Sequence, residues 1–229
     1  MVVGNGLMAK AFNDFSDRED IIVFASGVSN STETKSSEFE REFNLLKKII
    51  TSFPDAKLIY FSTCSIEDNA VNQRPYVQHK LRLEQFIAEH VKNYLIFRVS
   101  NVVGHQGNIH TIMNYLVQSV KNSNTIEVWQ HAERNLIDAD DVKLIVEDIN
   151  RSQLHNSIVN VASRHSILVV DIIKEIEDYL GKKAQLSFID KGNSLQIDTT
   201  QISTTLDKIE KVNGSGLEYI YNLLKKYYQ

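Results

Sequence analysis

Short apolar runs alternate with amphipathic stretches along the first hundred residues. Val2-Val3 is a β-branched pair that enters Gly4-Asn5-Gly6 and then a helical pattern through Ala11, Phe12 and Phe15. Ile21-Ile22-Val23-Phe24 continues into Ala25-Ser26-Gly27 and reads as a buried strand of a parallel sheet. Beyond a polar loop, Phe39, Phe43, Leu46, Ile49 and Ile50 recur at helical spacing. They predict a helix from a cap at Ser36 or Ser37 to about Phe53, stopped by Pro54 and Asp55. Lys57 to Thr63 is a second buried strand with hydroxyls at its carboxyl end, the edge at which ligands bind in open α/β sheets. A further amphipathic stretch begins near Tyr76.

The second half continues the alternation. Asn108 to about Asn122 reads as a helix with Ile109, Ile112, Met113, Leu116 and Val120 inward, followed by a strand through Ile126. Trp129 at its end is expected to pack in the strand. Asp140-Asp141 open a helix over Val142, Leu144, Ile145 and Ile149, where paired carboxylates suit the helix dipole better than a metal. Asn160 marks a return to the sheet. Ile167 to Leu180 is an amphipathic helix ended by Gly181, and Leu217 to Tyr228 a closing one.

Two arrangements carry candidate chemistry. The strand, glycine turn and helix at Gly4-Asn5-Gly6-Leu7-Met8-Ala9 form G-x-G-x-x-A, which lets a diphosphate approach backbone N–H groups at a helix start. The same turn also exists without a ligand. Tyr76 and Lys80 lie four apart and share one helix face, so the ammonium is expected to favour the phenolate and lower the tyrosine pKa toward a working acid or base. Such a pair is common on exposed helices, so its meaning depends on its neighbours.

Those neighbours come in a telling order. The glycine turn, Tyr60-Phe61-Ser62-Thr63-Cys64-Ser65-Ile66, Tyr76-x-x-x-Lys80, Phe97-Arg98-Val99-Ser100-Asn101-Val102-Val103-Gly104, Arg134 through Val142 and Asn160-Val161-Ala162-Ser163 run nearly the length of the chain. Together they resemble the extended short-chain dehydrogenase/reductases, in the sugar-nucleotide epimerase, dehydratase and 4-keto-reductase branch. The resemblance implies a Rossmann-type, doubly wound parallel α/β sheet with a small C-terminal substrate-binding region. The expected division is a dinucleotide-binding core over 1–104 and a substrate region over 105–229, interleaved with returning core segments at about 136–165.

By the same resemblance Thr63 binds the reacting oxygen, Tyr76 exchanges the proton, and Lys80 tunes the tyrosine and holds the nicotinamide ribose. NAD or NADP is implied as cofactor, along Gly4, Asn5, Gly6, Leu7, Met8, Ala9, Ala25, Ser26, Ser62, Tyr76, Lys80 and Val99. Asn101 and Arg134, with Thr63, are the implied contacts to a nucleotide sugar. The sequence departs from the family in two places. Only about a dozen residues join the opening helix to the Ile21 strand, which removes two edge strands and the residue that chooses between NAD and NADP. The loop from Thr63 to Tyr76 is short and carries Glu67 and Asp68 in place of an aromatic and a glycine.

The expected activity is NAD(P)-dependent reduction of a nucleotide-linked 4-keto-(6-deoxy) sugar in surface polysaccharide or deoxysugar biosynthesis, because a trimmed adenosine pocket suits an exchangeable nicotinamide. A sugar-nucleotide epimerase with bound NAD and a non-catalytic dinucleotide or sugar-nucleotide sensor are the alternatives.

Composition narrows the partners. With 229 residues the chain can bury one sizeable core and an annex, and a net charge of -4 makes no electrostatic case for nucleic acid. No apolar run is long enough to span a membrane and the start lacks a leader pattern, so a cytoplasmic protein is expected. A homodimer would pair through the helix after Tyr76. Cys64 is the single cysteine, expected as a small buried hydrophobe. No histidine spacing resembles a metal site; His105, His110 and His131 read as loop residues, and His79 as pointing away from the Tyr76 and Lys80 pair. Arg18 reads as a solvated loop residue rather than a phosphate contact.

Overall fold

The computed structural model describes residues 1–105 and 111–229. In chain order the first elements are β1 (Val2–Val3), α1 (Leu7–Ala11), β2 (Ile21–Phe24), α2 (Ser36–Ser52), β3 (Lys57–Thr63), α3 (Pro75–His90), β4 (Tyr94–Val99) and β5 (Asn101–Val103). Next come α4 (Ile112–Lys121), β6 (Thr125–Trp129), β7 (Glu133–Arg134), β8 (Leu136–Asp138), α5 (Ala139–Arg151) and β9 (Ser157–Val161). The chain closes with β10 (Ile167–Leu168), α6 (Val169–Leu180), β11 (Gln185–Ile189), α7 (Ser203–Asn213) and α8 (Gly216–Tyr227).

Two compact units divide these elements. The first, Met1–Val99 with Lys143–Val161, holds a five-stranded sheet in the order β1-β2-β3-β4-β9, every neighbouring pair parallel. This is the expected Rossmann-type architecture. The strand order runs one way from β1, which leaves β1 at the edge where the shortened connection to β2 puts it; a single 3-10 turn at Asn13–Phe15 follows α1.

The pleat distributes the core to both faces. Ile22, Phe24, Leu58, Tyr60, Tyr94 and Ile96 pack on one side with Leu46 of α2 and Leu83 and Ile87 of α3. On the other, Phe61 meets Phe12 at 5.3 Å and Phe97 at 6.4 Å between ring centroids. Each fully buried large apolar side chain contributes about 1.5–3 kcal/mol, so β3, lined on both faces, is the strand on which the unit is built.

The second unit, Ser100–Val142 with Ala162–Gln229, carries three two-stranded pairings: β5 with β8 and β6 with β11 in parallel, and β7 with β10 antiparallel. Its tail is fastened by polar contacts, buried at Tyr219 and more exposed toward Lys226. The Tyr219 hydroxyl donates to Asp141 at 2.6 Å and accepts the Asp138 backbone N–H at 2.8 Å, while Tyr227 donates to Asp138 at 2.6 Å and Lys226 pairs with Asp138 and Asp140 at 2.7 Å each.

Several expectations change. The α2 N-cap is Lys35, with no side-chain cap, and Ser36 and Ser37 lie in the first turn. The Ile21 strand stops at Phe24, short of Gly27. Ile167 and Leu168 form a strand before α6 starts, because they pair with β7. Leu144 faces outward on α5, and Trp129 is exposed on the outer face of β6, where Ile126 and Val128 take the inward positions. The helix around Ile112 is seen from Ile112 onward; Asn108, Ile109 and His110 fall outside the described residues. β11 and α7 were not anticipated. β11 has no alternating pattern, and α7 buries only Thr205, Leu206 and Ile209.

Candidate functional site

The carboxyl end of β3 gathers the candidate groups within the first unit. Thr63 is its last residue, buried, and its Oγ1 accepts the Ser65 backbone N–H at 3.2 Å. Pro75 occupies the first turn of α3, where its missing N–H costs nothing, and sets Tyr76 and Lys80 on the inward face; both are buried. The Thr63 hydroxyl lies close enough to Tyr76 to act on its phenol. The Lys80 ammonium stands 6.0 Å from the centre of the Tyr76 ring.

The electrostatics differ from the simple pairing expected of Tyr76 and Lys80. Burial pushes the Tyr76 phenol above its ordinary value; the Lys80 charge and the Thr63 hydroxyl pull it down, and Glu42 pushes it up again. Desolvation wins, so Tyr76 is a protonated phenol at neutral pH, and the expected net lowering is overturned.

Glu42 is the residue that sequence reasoning missed. It is fully buried, and both of its oxygens are hydrogen-bonded. Oε1 takes the Lys80 ammonium at 2.8 Å and the Tyr60 hydroxyl at 2.9 Å; Oε2 takes the Val28 backbone N–H at 2.8 Å and lies 3.0 Å from His79 Nε2. Burial raises its pKa, but the Lys80 charge and the bonds from His79, Lys80 and Val28 outweigh that and hold it at about 2. His79 therefore points into the same network as Lys80 rather than away from it, and its ring stacks on Phe39 at 4.7 Å. Lys80 Nζ also donates to the Tyr60 hydroxyl at 3.1 Å and the Phe61 carbonyl at 3.4 Å. One signal was present in the sequence: Glu42 falls on the stripe of Phe39 and Leu46, a charge on an apolar face.

The glycine turn is built for close backbone approach. Gly4 has φ +134°, and a Cβ there would lie 2.5 Å from the Ala25 carbonyl oxygen; a side chain would break the contact between β1 and the end of β2. Gly6 has open space in front of it, is exposed, and begins α1 without a side-chain cap. Asn5 is exposed beside it, Leu7 and Met8 are half-buried, and Ala9 is buried in α1. Ala25 and Ser26 are half-buried after β2, with the Ala25 N–H bonded to the Val3 carbonyl at 2.8 Å. Val99 is buried and pairs with Thr63. Ser62 Oγ, buried next to Thr63, has no hydrogen-bond partner among the described residues, and an unmet buried hydroxyl is costly unless a ligand group meets it. Open backbone at Gly6 and the unmet Ser62 hydroxyl fit a bound dinucleotide.

Of the candidates in the second unit, Asn101 is exposed, its side chain donating to the Asn135 carbonyl at 2.8 Å, and Arg134 is half-buried, bonded to the Glu133 carbonyl at 2.7 Å. His105 and His131 are exposed, and among the described residues no cluster could hold a metal ion. Arg18 forms a fork on Asp20 at 2.8 and 2.6 Å. Cys64 donates to the Arg98 carbonyl at 3.1 Å, and burial, with the charge of Glu67, pushes its thiol up to about 12, which leaves it inert. Glu67, one of the departures in the trimmed loop, anchors Arg98 at 3.0 Å, and Arg98 also grips Glu84 at 3.0 and 2.7 Å.

The fold and this constellation define an NAD(P)-dependent oxidoreductase or epimerase. Residues 5–162 match the family model described as the NAD dependent epimerase/dehydratase family, and the chain belongs to that family. No curated protein sequence matches it. Among solved structures it is similar to dTDP-glucose 4,6-dehydratase from Bacillus anthracis in complex with NAD, at TM-score 0.72 and 14% identity over 98% of this chain and 79% of that one. It is likewise similar to UDP-glucuronic acid 4-epimerase from Bacillus cereus with UDP-glucuronic acid and NAD, at TM-score 0.68 and 18% identity over 97% and 79%. A third is RMD from Pseudomonas aeruginosa complexed with NADPH, at TM-score 0.68 and 14% identity over 98% and 87%. At these identities the likeness is one of fold.

Proposed function

We propose that the protein reduces a nucleotide-linked 4-keto sugar with NADPH or NADH. The observation that carries this reading is the burial of Tyr76 with Thr63 at the end of β3 and with the Lys80 ammonium 6.0 Å from its ring, where desolvation favours the protonated phenol. A protonated acid is what carbonyl reduction requires, because the oxygen gains negative charge as hydride reaches its carbon. Gly4, Asn5, Gly6, Leu7, Met8 and Ala9 would hold the diphosphate, and Ala25, Ser26, Ser62, Lys80 and Val99 the remainder of the dinucleotide. When bound in reduced form, it supplies the hydride for the carbonyl carbon. Thr63 orients the carbonyl oxygen by donating its hydroxyl proton in a hydrogen bond. Tyr76 would transfer its Oη proton to that oxygen, so that with the hydride the ketone becomes an alcohol. Asn101 and Arg134 are assigned to the sugar and its diphosphate, a task that suits the guanidinium fork.

No helix among the described residues is long and apolar enough to cross a membrane, and a cytoplasmic setting with a soluble nucleotide sugar is part of this reading. The test is to mix the protein with NADPH or NADH and a panel of nucleotide-linked 4-keto sugars. Loss of nicotinamide absorbance supports the reductase. Interconversion of epimers without net loss assigns an epimerase instead, and binding without turnover assigns a sensor.

A further inference from the structure

The Lys80 ammonium lies within hydrogen-bond distance of three protein acceptors, Glu42 at 2.8 Å, the Tyr60 hydroxyl at 3.1 Å and, more weakly, the Phe61 carbonyl at 3.4 Å. The strongest goes to an ionised carboxylate at 2.8 Å. Seen from Tyr76, the lysine is therefore half of a dipole rather than an isolated cation, and its pull on the phenolate is correspondingly weaker. The pair is roofed by Gly27: a Cβ there would stand 2.6 Å from Lys80 Nζ and 2.9 Å from Glu42 Oε1. The charged and titratable groups around the site are Glu42 from α2, Tyr60 from β3 with the Thr63 hydroxyl, and His79 and Lys80 from α3; Glu84 on α3 is taken by Arg98.

We propose that Glu42 is a positioning residue that pins the Lys80 ammonium inward and offsets its field at Tyr76, keeping the phenol a proton donor. That is the protonation state carbonyl reduction uses, whereas the alcohol oxidation with which a nicotinamide-dependent epimerase must begin needs Tyr76 as a base. The link to reduction rests on the function proposed above; the effect on Tyr76 does not.

The test has one arm that needs no turnover. In protein labelled with 3-fluorotyrosine, the Tyr76 fluorine resonance is identified as the one missing from Tyr76→Phe and titrated with pH. In the unmodified chain it is expected to titrate above free 3-fluorotyrosine. In Glu42→Gln the midpoint is expected to fall by about one pH unit or more, as the lysine charge is no longer opposed. Gly27→Ala, whose methyl pushes on both partners, is expected to move it in the same direction by less. In the second arm, the high-pH limb of kcat/KM for carbonyl reduction shifts down in parallel. A Tyr76 midpoint below free 3-fluorotyrosine in the unmodified chain overturns the inference even if neither variant folds. So does an unmoved midpoint in folded Glu42→Gln. Should the midpoint fall while no keto sugar is reduced, the positioning role stands and the reductase reading fails. Reduction with an unmoved midpoint leaves the reductase reading standing and overturns the positioning role.

Discussion

Acid titration of stability reads the buried Glu42 network without any substrate. Its carboxyl sits at about 2 in the fold against 4.5 for a solvated glutamate, so between those pH values the unfolded chain binds more protons than the native one. Stability from this group is thus fully present above pH 4.5 and lost as pH falls through about 2. At ~1.36 kcal/mol per pH unit the separation corresponds to about 3 kcal/mol, a large part of the 5–15 kcal/mol or so typical of a domain. The assay is urea unfolding followed by circular dichroism at pH steps from about 7 to about 2.5, on the natural chain and on Glu42→Gln. Exposed carboxylates such as Asp20 and Glu33, whose shifts do not involve Glu42, are common to both chains, so the difference in slope below pH 4.5 reports on Glu42. Glu42→Gln is expected to be less stable at neutral pH by about 3 kcal/mol, with the gap closing as pH falls toward about 2. A gap that stays constant with pH would show that Glu42 is not ionised in the fold and would refute the reasoning.

Tyr76→Phe is expected to lower the rate of carbonyl reduction by about a hundredfold or more while leaving dinucleotide affinity nearly unchanged, measured by steady-state kinetics and fluorescence titration. Gly4→Ala forces a side chain at φ +134° against the Ala25 carbonyl and should cost about 2 kcal/mol or more in urea unfolding, together with dinucleotide binding. Tyr219→Phe removes the bond donated to Asp141 and the acceptor for the Asp138 N–H; a loss of about 1–3 kcal/mol in thermal unfolding is expected. Leu46→Ala opens a hole in the core cluster under α2 and should cost about 2–5 kcal/mol in the same measurement.

What could be read from the chain followed from how local each signal is. The buried runs at Ile21 and Lys57 and the periodic stretch ending near Phe53 have enough apolar repeats to declare β2, β3 and α2 on their own. Tyr76 and Lys80 were legible as a pair from their four-residue spacing, and Thr63 only through the resemblance carried by the order of motifs; the structure buries all three in the first unit. The β11 strand was not legible. It is a second-unit strand whose side chains are mostly exposed, so its sequence has no need to alternate; its position comes from pairing with β6, far earlier in the chain. The Ile167-Leu168 pair likewise reads as helix until its partner in β7 is known.

The charge balance at Tyr76 was illegible for a related reason. Periodicity reports which face a residue lies on, but a pKa depends on what meets that face from elsewhere. Tyr76 and Lys80 share α3, so their attraction can be foreseen from four-residue spacing. The group that opposes it lies 38 positions before Lys80, on another helix, and reaches the ammonium only once α2 and α3 both pack on the same side of β3. Glu42 reads as an interruption in the Phe39, Phe43, Leu46 stripe; in the fold it is the acidic side chain bonded to that lysine. A charge embedded in an inward apolar stripe calls for a buried partner, since its desolvation cost is otherwise unmet. Here the cation that answers it is the lysine beside the candidate acid, so the same contact that makes Glu42 tolerable in the core also determines what Tyr76 can do.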